Sequence, residues 1–342
     1  MNLLIVKLSS LGDVVHAMPA VQDIRAALPQ ARIDWVVEPG FAPLVRRCAG
    51  LNRVLECPLR HWRKNLLQKS TRQQWQAFQA ALQATAYDAV IDLQGLTKSA
   101  LVAWSARLAP AGRRFALANR TQGSSYEAPT RWVADVAVAV PERSHALVRS
   151  RLLCAQALGY AFNQNSLDFG LYRHTGTGLD AIKTTAIEAK AGERPVVALV
   201  HGTSRTDKLW PEALWLALGQ RLLQQGYALA LPQGSESERE RGERLAYRFG
   251  ADAPVQVWPA LTLDAVLDRL ATCAGVIGVD SGLSHMAVAL DLPHVQLYNF
   301  DTAWRTGPLP GVQQHQCSVY AQPHPGADSV WAAWQAVVRA DA

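Results

Sequence analysis

Several chemistries are excluded by what this 342-residue sequence does not contain. Its five cysteines (Cys48, Cys57, Cys154, Cys273 and Cys317) are scattered, odd in number and never spaced Cys-x-x-Cys. That pattern offers neither a disulfide framework nor a zinc knuckle, so reduced thiols in the cytoplasm are expected. No apolar run approaches the roughly 18 residues needed to cross a bilayer. Met1-Asn2 leads straight into a strand-like run, with no basic segment or small-residue cleavage site, so no export signal is expected. No Gly-x-Gly-x-x-Gly follows a strand, which argues against a nicotinamide dehydrogenase. A Walker loop, a Gly-x-Ser-x-Gly elbow and an Asp-x-Asp pair for a diphosphate-bound metal are also missing. Nor is there any pattern of a known nucleic-acid module.

What remains is a globular composition, 49% hydrophobic and 18% charged, too long for one ordinary core and so expected to form two domains. The formal net charge of +6 is uneven. Residues 1–170 hold 20 Lys and Arg against 11 Asp and Glu, and residues 171–342 hold 14 against 17. A basic first half suggests an acidic partner on that side: nucleic acid, an anionic membrane surface or a phosphorylated substrate.

Apolar runs alternate with helical periodicity along the chain. The first half offers strands at 2–8, 32–37, 88–92 and 133–138, and helices at 14–28, 72–86, 97–108 and 144–158. Periodicity fades over 161–194, which reads as a linker with a short helix at 179–189. It resumes with strands at 196–200, 227–231, 255–258, 275–279 and 294–297, and helices at 211–224, 236–249, 262–272 and 282–290. A last helix is expected at 331–339. Such alternation predicts two doubly wound parallel-sheet domains with a cleft between them. The expected boundaries are 1–160, a linker over 161–194, 195–325, and a closing segment 326–342 able to pack back on the first domain.

Strand-to-helix junctions carry the candidate chemistry. Lys7-Leu8-Ser9-Ser10-Leu11-Gly12-Asp13 ends the first strand and opens a helix. Asp13 is either an N-cap or a carboxylate placed beside free amides, able to take a proton from a hydroxyl. In His201-Gly202-Thr203-Ser204-Arg205-Thr206-Asp207-Lys208, two hydroxyls and a Lys could hold phosphates, or form a plain polar loop. Asp280-Ser281-Gly282-Leu283-Ser284-His285 could present amides to an anion, or could simply cap a helix over a packed His285. Glu238 either suits the helix dipole or holds a ribose diol. Residues 60–72 carry five Lys and Arg and no acid, interleaved with Trp62, Leu66 and Leu67. They form either a solvated face or a docking patch for phosphate or anionic lipid.

Taken in order, the first-strand turn, Asp34-Trp35-Val36-Val37-Glu38-Pro39-Gly40-Phe41, Thr206-Asp207-Lys208-Leu209-Trp210-Pro211 and Asp280–His285 resemble the bacterial ADP-heptose:lipopolysaccharide heptosyltransferases of glycosyltransferase family 9. Within that family they are most similar to the heptosyltransferase I group. The resemblance implies a GT-B architecture, two facing Rossmann-like domains with the site between them. It implies inversion at the anomeric carbon, no cofactor and no metal. It implies ADP-L-glycero-D-manno-heptose as donor and a Kdo residue of Kdo-lipid A as acceptor, met at the cytoplasmic face of the inner membrane through the basic domain, with no nucleic-acid partner. Asp13 matches the general base and Lys208 the diphosphate Lys, with Thr203 and Ser204 as the hydroxyl pair and Glu238 as the ribose ligand. Asp280, Ser281, Gly282, Leu283 and His285 match the donor-sugar and diphosphate loop. Arg60, Arg63 and Lys64 match the acceptor-side basic cluster, which Ser9, Ser10, Gly12, Gln94 and Arg120 complete. Where close relatives carry Ser-Ala-Arg-Glu-Pro, this chain has Ser124-Ser125-Tyr126-Glu127-Ala128. Tyr126 thus stands at the Arg, and either one acceptor contact is missing or Arg120 or Arg131 supplies it. A second heptosyltransferase, or another GT-B transferase, is the alternative.

Overall fold

Both halves of the chain build their sheets from short apolar runs, Leu3-Leu4-Ile5-Val6 and Val197-Ala198-Leu199-Val200, whose side chains are all buried. Strands apolar on both faces must be covered on both, which is the condition for a parallel sheet flanked by helices. The computed structural model describes residues 1–65, 67–175, 178–181 and 194–341. The chain divides into two units, Met1–Gly170 and Leu171–Ala342.

The first unit contains strands β1 (Asn2–Val6), β2 (Arg32–Val37), β3 (Leu51–Glu56), β4 (Tyr87–Asp92), β5 (Leu108–Leu117) and β6 (Val136–Val138). Its helices are α1 (Leu11–Val15), α2 (Met18–Ala27), α3 (Ala42–Val45), α4 (Leu59–Lys64), α5 (Lys69–Gln83), α6 (Thr97–Ser105), α7 (Pro129–Val133) and α8 (Ala146–Leu158). The strands lie parallel in the order β3-β2-β1-β4-β5-β6. A short antiparallel hairpin follows, β7 (Tyr172–Thr175) and β8 (Gly178–Ala181).

The second unit repeats the plan. Strands β9 (Val196–Val200), β10 (Ala228–Leu231), β11 (Val255–Val257), β12 (Gly275–Val279), β13 (His294–Tyr298) and β14 (Gln316–Tyr320) lie parallel in the order β11-β10-β9-β12-β13-β14. Its helices are α9 (Glu212–Gln224), α10 (Glu236–Phe249), α11 (Leu263–Leu270), α12 (Gly282–Ala289), α13 (Ala303–Thr306) and α14 (Ala327–Asp341). In both sheets the order reverses beside the first strand of the unit. The loops leaving β1 and β4, and those leaving β9 and β12, therefore open a crevice at the carboxyl ends, where such sheets take ligands.

The structure corrects the sequence reading at several points. The helix expected over 14–28 is two helices, because Pro19 cannot donate to a continuing helix and instead opens α2. Only the last three residues of 133–138 are strand, since α7 occupies 129–133. In the expected linker helix at 179–189, residues 179–181 belong to β8 and 182–189 lie outside the described residues. The closing helix stays with the second unit. Val330, Trp334 and Val337 of α14 join Val197, Leu199, Trp210, Trp215 and Ile277 in that unit's core. Gly275 makes room for it: a Cβ there would lie 2.5 Å from the Trp334 ring.

Candidate functional site

At the first crevice the chain leaves β1 through Lys7-Leu8-Ser9-Ser10 into α1. Ser10 is the N-cap and Asp13 sits at the third helical position, so the capping expected of Asp13 is shared with Ser10. The Ser10 N–H and hydroxyl both donate to Asp13 Oδ2, at 3.1 and 2.9 Å. The other oxygen, Oδ1, lies 3.8 Å from Lys7 Nζ, and the Asp13 side chain is 37% exposed while that of Lys7 is 2% exposed. Burial pushes the Asp13 carboxyl up, but Lys7, the two Ser10 bonds and the Arg149 guanidinium outweigh it and hold the group below its ordinary value. The result is an ionised carboxylate with one oxygen committed to the turn and the other facing a buried cation. Such a group can accept a proton at neutral pH.

The loop leaving β4 closes on this turn. Gln94 Oε1 accepts from the Leu8 and Ser9 N–H groups, both at 3.0 Å. Lys7 Nζ donates to the Leu93 carbonyl at 3.0 Å, and Lys98 Nζ donates to Ser9 Oγ at 3.1 Å. Buried Asp92 accepts from the Gln94 and Gly95 N–H groups at 2.9 and 3.2 Å and from Ser99 Oγ at 2.9 Å. Its carboxyl is pushed up to about 6 by burial. Glu38, after β2, is buried, with Oε1 lacking a hydrogen bond and Arg60 Nε 4.0 Å away. Burial raises its carboxyl, and the charges of Arg60 and Lys98 oppose this. Arg60 and Arg63 also act on Lys98, whose ammonium burial pulls down.

In the second unit the loop leaving β9 meets the loop leaving β12. Lys208 Nζ donates to Asp280 Oδ2 at 2.6 Å, and Thr203 Oγ1 donates to the Asp280 carbonyl at 3.2 Å. His285 Nε2 lies 3.3 Å from Asp280 Oδ1. Asp280 is buried, which favours its neutral form, but His285 and Lys208 hold it far below the usual carboxylate range. Ser281 is the N-cap of α12, and Gly282 and Leu283 open that helix, so their amides have no intrahelical acceptor. Ser204, next to Thr203 in the β9 loop, is exposed. Glu238, at the start of α10, accepts from the Gly234 N–H at 2.7 Å. Gly202 lets the Glu238 carboxylate approach the loop, since a Cβ there would stand 2.2 Å from Glu238 Oε1. His201 is fully buried, with neither ring nitrogen hydrogen-bonded, and burial pulls it down to about 4.

The expected residues therefore fall into two sets. Ser9, Ser10, Gly12, Asp13 and Gln94 come together at the first crevice. Arg60 reaches the same surroundings through Glu38 and Lys98, and Arg63 through Lys98 alone. Lys64 and Arg120 are exposed, with no side-chain bond to this group among the described contacts. Thr203, Lys208, Asp280 and His285 come together at the second crevice. Trp62 is no part of a docking patch: it is 4% exposed, packs edge-on to Trp75 at 5.4 Å and donates from Nε1 to Gln74 Oε1 at 2.9 Å. Leu66 lies outside the described residues. Tyr126, standing where an Arg was looked for, donates from its hydroxyl to the Ala118 carbonyl at 3.2 Å. The arginine whose charge reaches Asp13 is Arg149 of α8. Sequence reasoning missed Lys7, Glu38, Lys98 and Arg149. Lys7 and Lys98 carried a usable signal, a cation at a strand end or in the first turn of the next helix. Among the described residues, no group of three His, Cys, Asp or Glu side chains is placed to hold a metal.

Comparison with known proteins gives these crevices a context. The profile of glycosyltransferase family 9 (heptosyltransferase) matches residues 75–330. Lipopolysaccharide heptosyltransferase 1 of Escherichia coli K12 is 39% identical over 299 residues, covering 87% of this chain and 88% of that protein. Lipopolysaccharide heptosyltransferase 2 of the same strain is 26% identical over 317 residues, covering 90% of this chain and 86% of that one. The structure of E. coli heptosyltransferase WaaC with ADP superposes with a TM-score of 0.83 at 32% identity, covering all of both chains. WaaC with ADP-2-deoxy-2-fluoro heptose gives 0.78 at 33% identity, covering 96% of this chain and 98% of that one.

Proposed function

The chain belongs to glycosyltransferase family 9, and from that premise we propose that it moves L-glycero-D-manno-heptose from ADP-heptose to a Kdo residue of Kdo-lipid A, the first heptose transfer of the lipopolysaccharide inner core. The preference for the first step over the second rests on 39% against 26% identity to the two E. coli enzymes. Donor binding is supported by the ADP and ADP-2-deoxy-2-fluoro heptose complexes of WaaC, and its placement in the second unit by the Lys208 and Asp280 loops.

In this reading Asp13 is the general base. As the acceptor hydroxyl oxygen attacks the anomeric carbon, the proton passes to the Asp13 carboxylate, the bond to the diphosphate oxygen breaks, and configuration inverts. The sugar carbon gains oxocarbenium character on the way, as in glycoside hydrolysis. Lys208, Thr203, Ser204 and the free amides of Ser281, Gly282 and Leu283 take the negative charge that grows on departing ADP. That set supplies cationic and amide stabilisation without a metal or cofactor. Lys208 exchanges or shares its Asp280 partner when the diphosphate arrives, while His285 stays beside Asp280 Oδ1. Glu238 would accept hydrogen bonds from the ribose hydroxyls beside Gly202. Ser9, Ser10, Gly12, Gln94, Arg60, Arg63, Lys64 and Arg120 make up the acceptor side. The basic first unit, +9 over residues 1–170, draws the anionic acceptor and the cytoplasmic face of the inner membrane. Among the described residues no helix is long and apolar enough to cross a membrane.

The observation that carries the chemistry is Asp13, ionised, partly exposed and fixed by Ser10 and Lys7 at the sheet switch point. The test is transfer from ADP-heptose to heptose-free Kdo-lipid A in the presence of EDTA, following ADP release and acceptor mass. One added heptose per acceptor is the expected result. Transfer only to an already heptosylated core would assign the second step instead. Transfer that appears only without EDTA would overturn metal independence.

A further inference from the structure

From Ala100 to Trp104 helix α6 is apolar on both of its faces. Ala100, Val102 and Ala103 are buried in the first unit, yet on the opposite face Leu101 is 46% and Trp104 64% exposed. A surface helix normally turns charged residues outward, and one that is apolar all round is covered by something. Beside it, α7 carries Trp132, 80% exposed. The two helices pack against each other and share a fastening. Arg114 donates from Nε to the Ala103 carbonyl at 3.0 Å and from Nη2 to the Trp104 carbonyl at 3.1 Å. Its backbone exchanges bonds with Asp135, just past α7, at 2.7 and 2.9 Å. Arg114 thus ties together the ends of α6 and α7 that bear the two exposed indoles.

The charge around these rings has one sign. Residues 97–135 contain six Lys and Arg and two acids, Glu127 and Asp135. Both acids are occupied locally: Glu127 accepts from the Thr97 N–H at 2.8 Å and from the Thr97 hydroxyl, and Asp135 accepts from the Arg114 N–H. Exposed Arg107 follows Trp104 by three residues, and exposed Arg131 immediately precedes Trp132. Exposed indoles among unmatched cations are the chemistry of a headgroup layer, in which the ring sits at the hydrocarbon boundary and the cations meet lipid phosphates.

We propose that the α6–α7 face, through Leu101, Trp104 and Trp132, is the surface by which this chain docks on an anionic lipid bilayer. The inference rests on the reading of a lipid-borne acceptor and deepens it by naming the contact. At its other end α6 carries Lys98, bonded to Ser9 and acted on by Arg60 and Arg63. The nine residues of α6 span roughly 13 Å. One helix therefore links the bilayer contact to the crevice holding Asp13.

The test uses the full chain and vesicles of phosphatidylcholine with and without phosphatidylglycerol, in the absence of donor and acceptor. The expected result is co-sedimentation with the anionic vesicles and a blue shift of tryptophan emission. Trp104→Ala combined with Trp132→Ala should weaken partition by about tenfold or more, from the aromatic area withdrawn. Trp104→Tyr with Trp132→Tyr should keep most of it, because Tyr also favours the interface. Both positions are exposed, so circular dichroism and melting should match the parent chain. Heptose transfer to a vesicle-embedded acceptor should fall with the double Ala change, while transfer to a deacylated, water-soluble acceptor should not. Unchanged vesicle partition in the double Ala variant would overturn the proposal, as would a parent chain that ignores anionic vesicles. A parent chain that dimerises through these tryptophans, seen by light scattering, would assign the face to a second copy instead. Vesicle binding without transfer to either acceptor would sink the transferase reading and leave this one intact.

Discussion

The switch-point crevices of the two units lie in sheets of the same strand order, yet they hold their carboxylates in opposite ways, Asp13 on the loop leaving β1 and Asp280 on the loop leaving β12. Asp13 is 37% exposed, stands 3.8 Å from its cation and binds its own turn. Asp280 is 6% exposed, 2.6 Å from Lys208 and 3.3 Å from His285. A carboxylate that must collect a proton needs an accessible oxygen and only loose pairing. One that must aim a Lys at a leaving group is better buried and tightly paired. The comparison fits the proposed division, proton transfer in the first unit and charge management in the second, although the backbone frame is shared.

The contrast breaks most sharply at Asp13. Asp13→Ala should lower kcat by about 10²–10⁴ and leave ADP-heptose affinity near the parent value in calorimetric titration. A variant with full turnover would remove the base from the mechanism. Lys208→Met comes next. It should weaken donor binding and turnover together. Because it leaves Asp280 buried with His285 and Gln296 but no lysine beside it, it should also cost about 2 kcal/mol of stability, below the usual range for broken buried pairs since Lys208 is 20% exposed. Calorimetric melting checks this, and an unchanged donor Kd would count against the role.

Lys7→Met sharpens the comparison through pH. Asp13 is held below its ordinary value, so the acid limb of kcat/KM should lie below the normal carboxylate range, with activity lost only as pH falls through that depressed value. Removing Lys7 takes away the largest influence that opposes burial, so the limb should move upward. An unmoved limb would mean that Lys7 does not set the charge of Asp13. The smallest effect is expected at the exposed cations. Arg60→Ala with Arg63→Ala should raise the acceptor KM by about fivefold at low salt and by less as salt screens it. A salt-independent KM would make that face merely solvated.

Much of this was legible in the sequence because the signal was local. Asp13, Lys208 and Asp280 each sit at an apolar run that stops and turns into helical spacing. Most strands read correctly are buried on both faces, the half-buried β11 being an exception. The three missed in the parallel sheets have weak patterns: β3 is only half buried, β5 contains Pro110 and Gly112, and β14 is a short edge strand, and the β7–β8 hairpin was missed as well. What escaped in the site was long-range. Glu38, Lys98 and Arg149 become neighbours of the turn that carries Asp13 only through the tertiary fold, which periodicity does not encode. Trp62 misled in the reverse sense: it stands among basic residues in the sequence, but its ring belongs to Trp75 and Phe78 of the following helix.

The place of α14 has a genetic consequence. Trp334 fills the hollow over Gly275, with Val330 and Val337 on either side. A nonsense codon at Trp331 would leave every residue of both crevices encoded and still empty the second unit's core, since losing a buried Trp alone costs about 3–5 kcal/mol. Such an allele should behave as a null through degradation of the truncated product, with the phenotype of a deletion and no inactive protein accumulating in the cell.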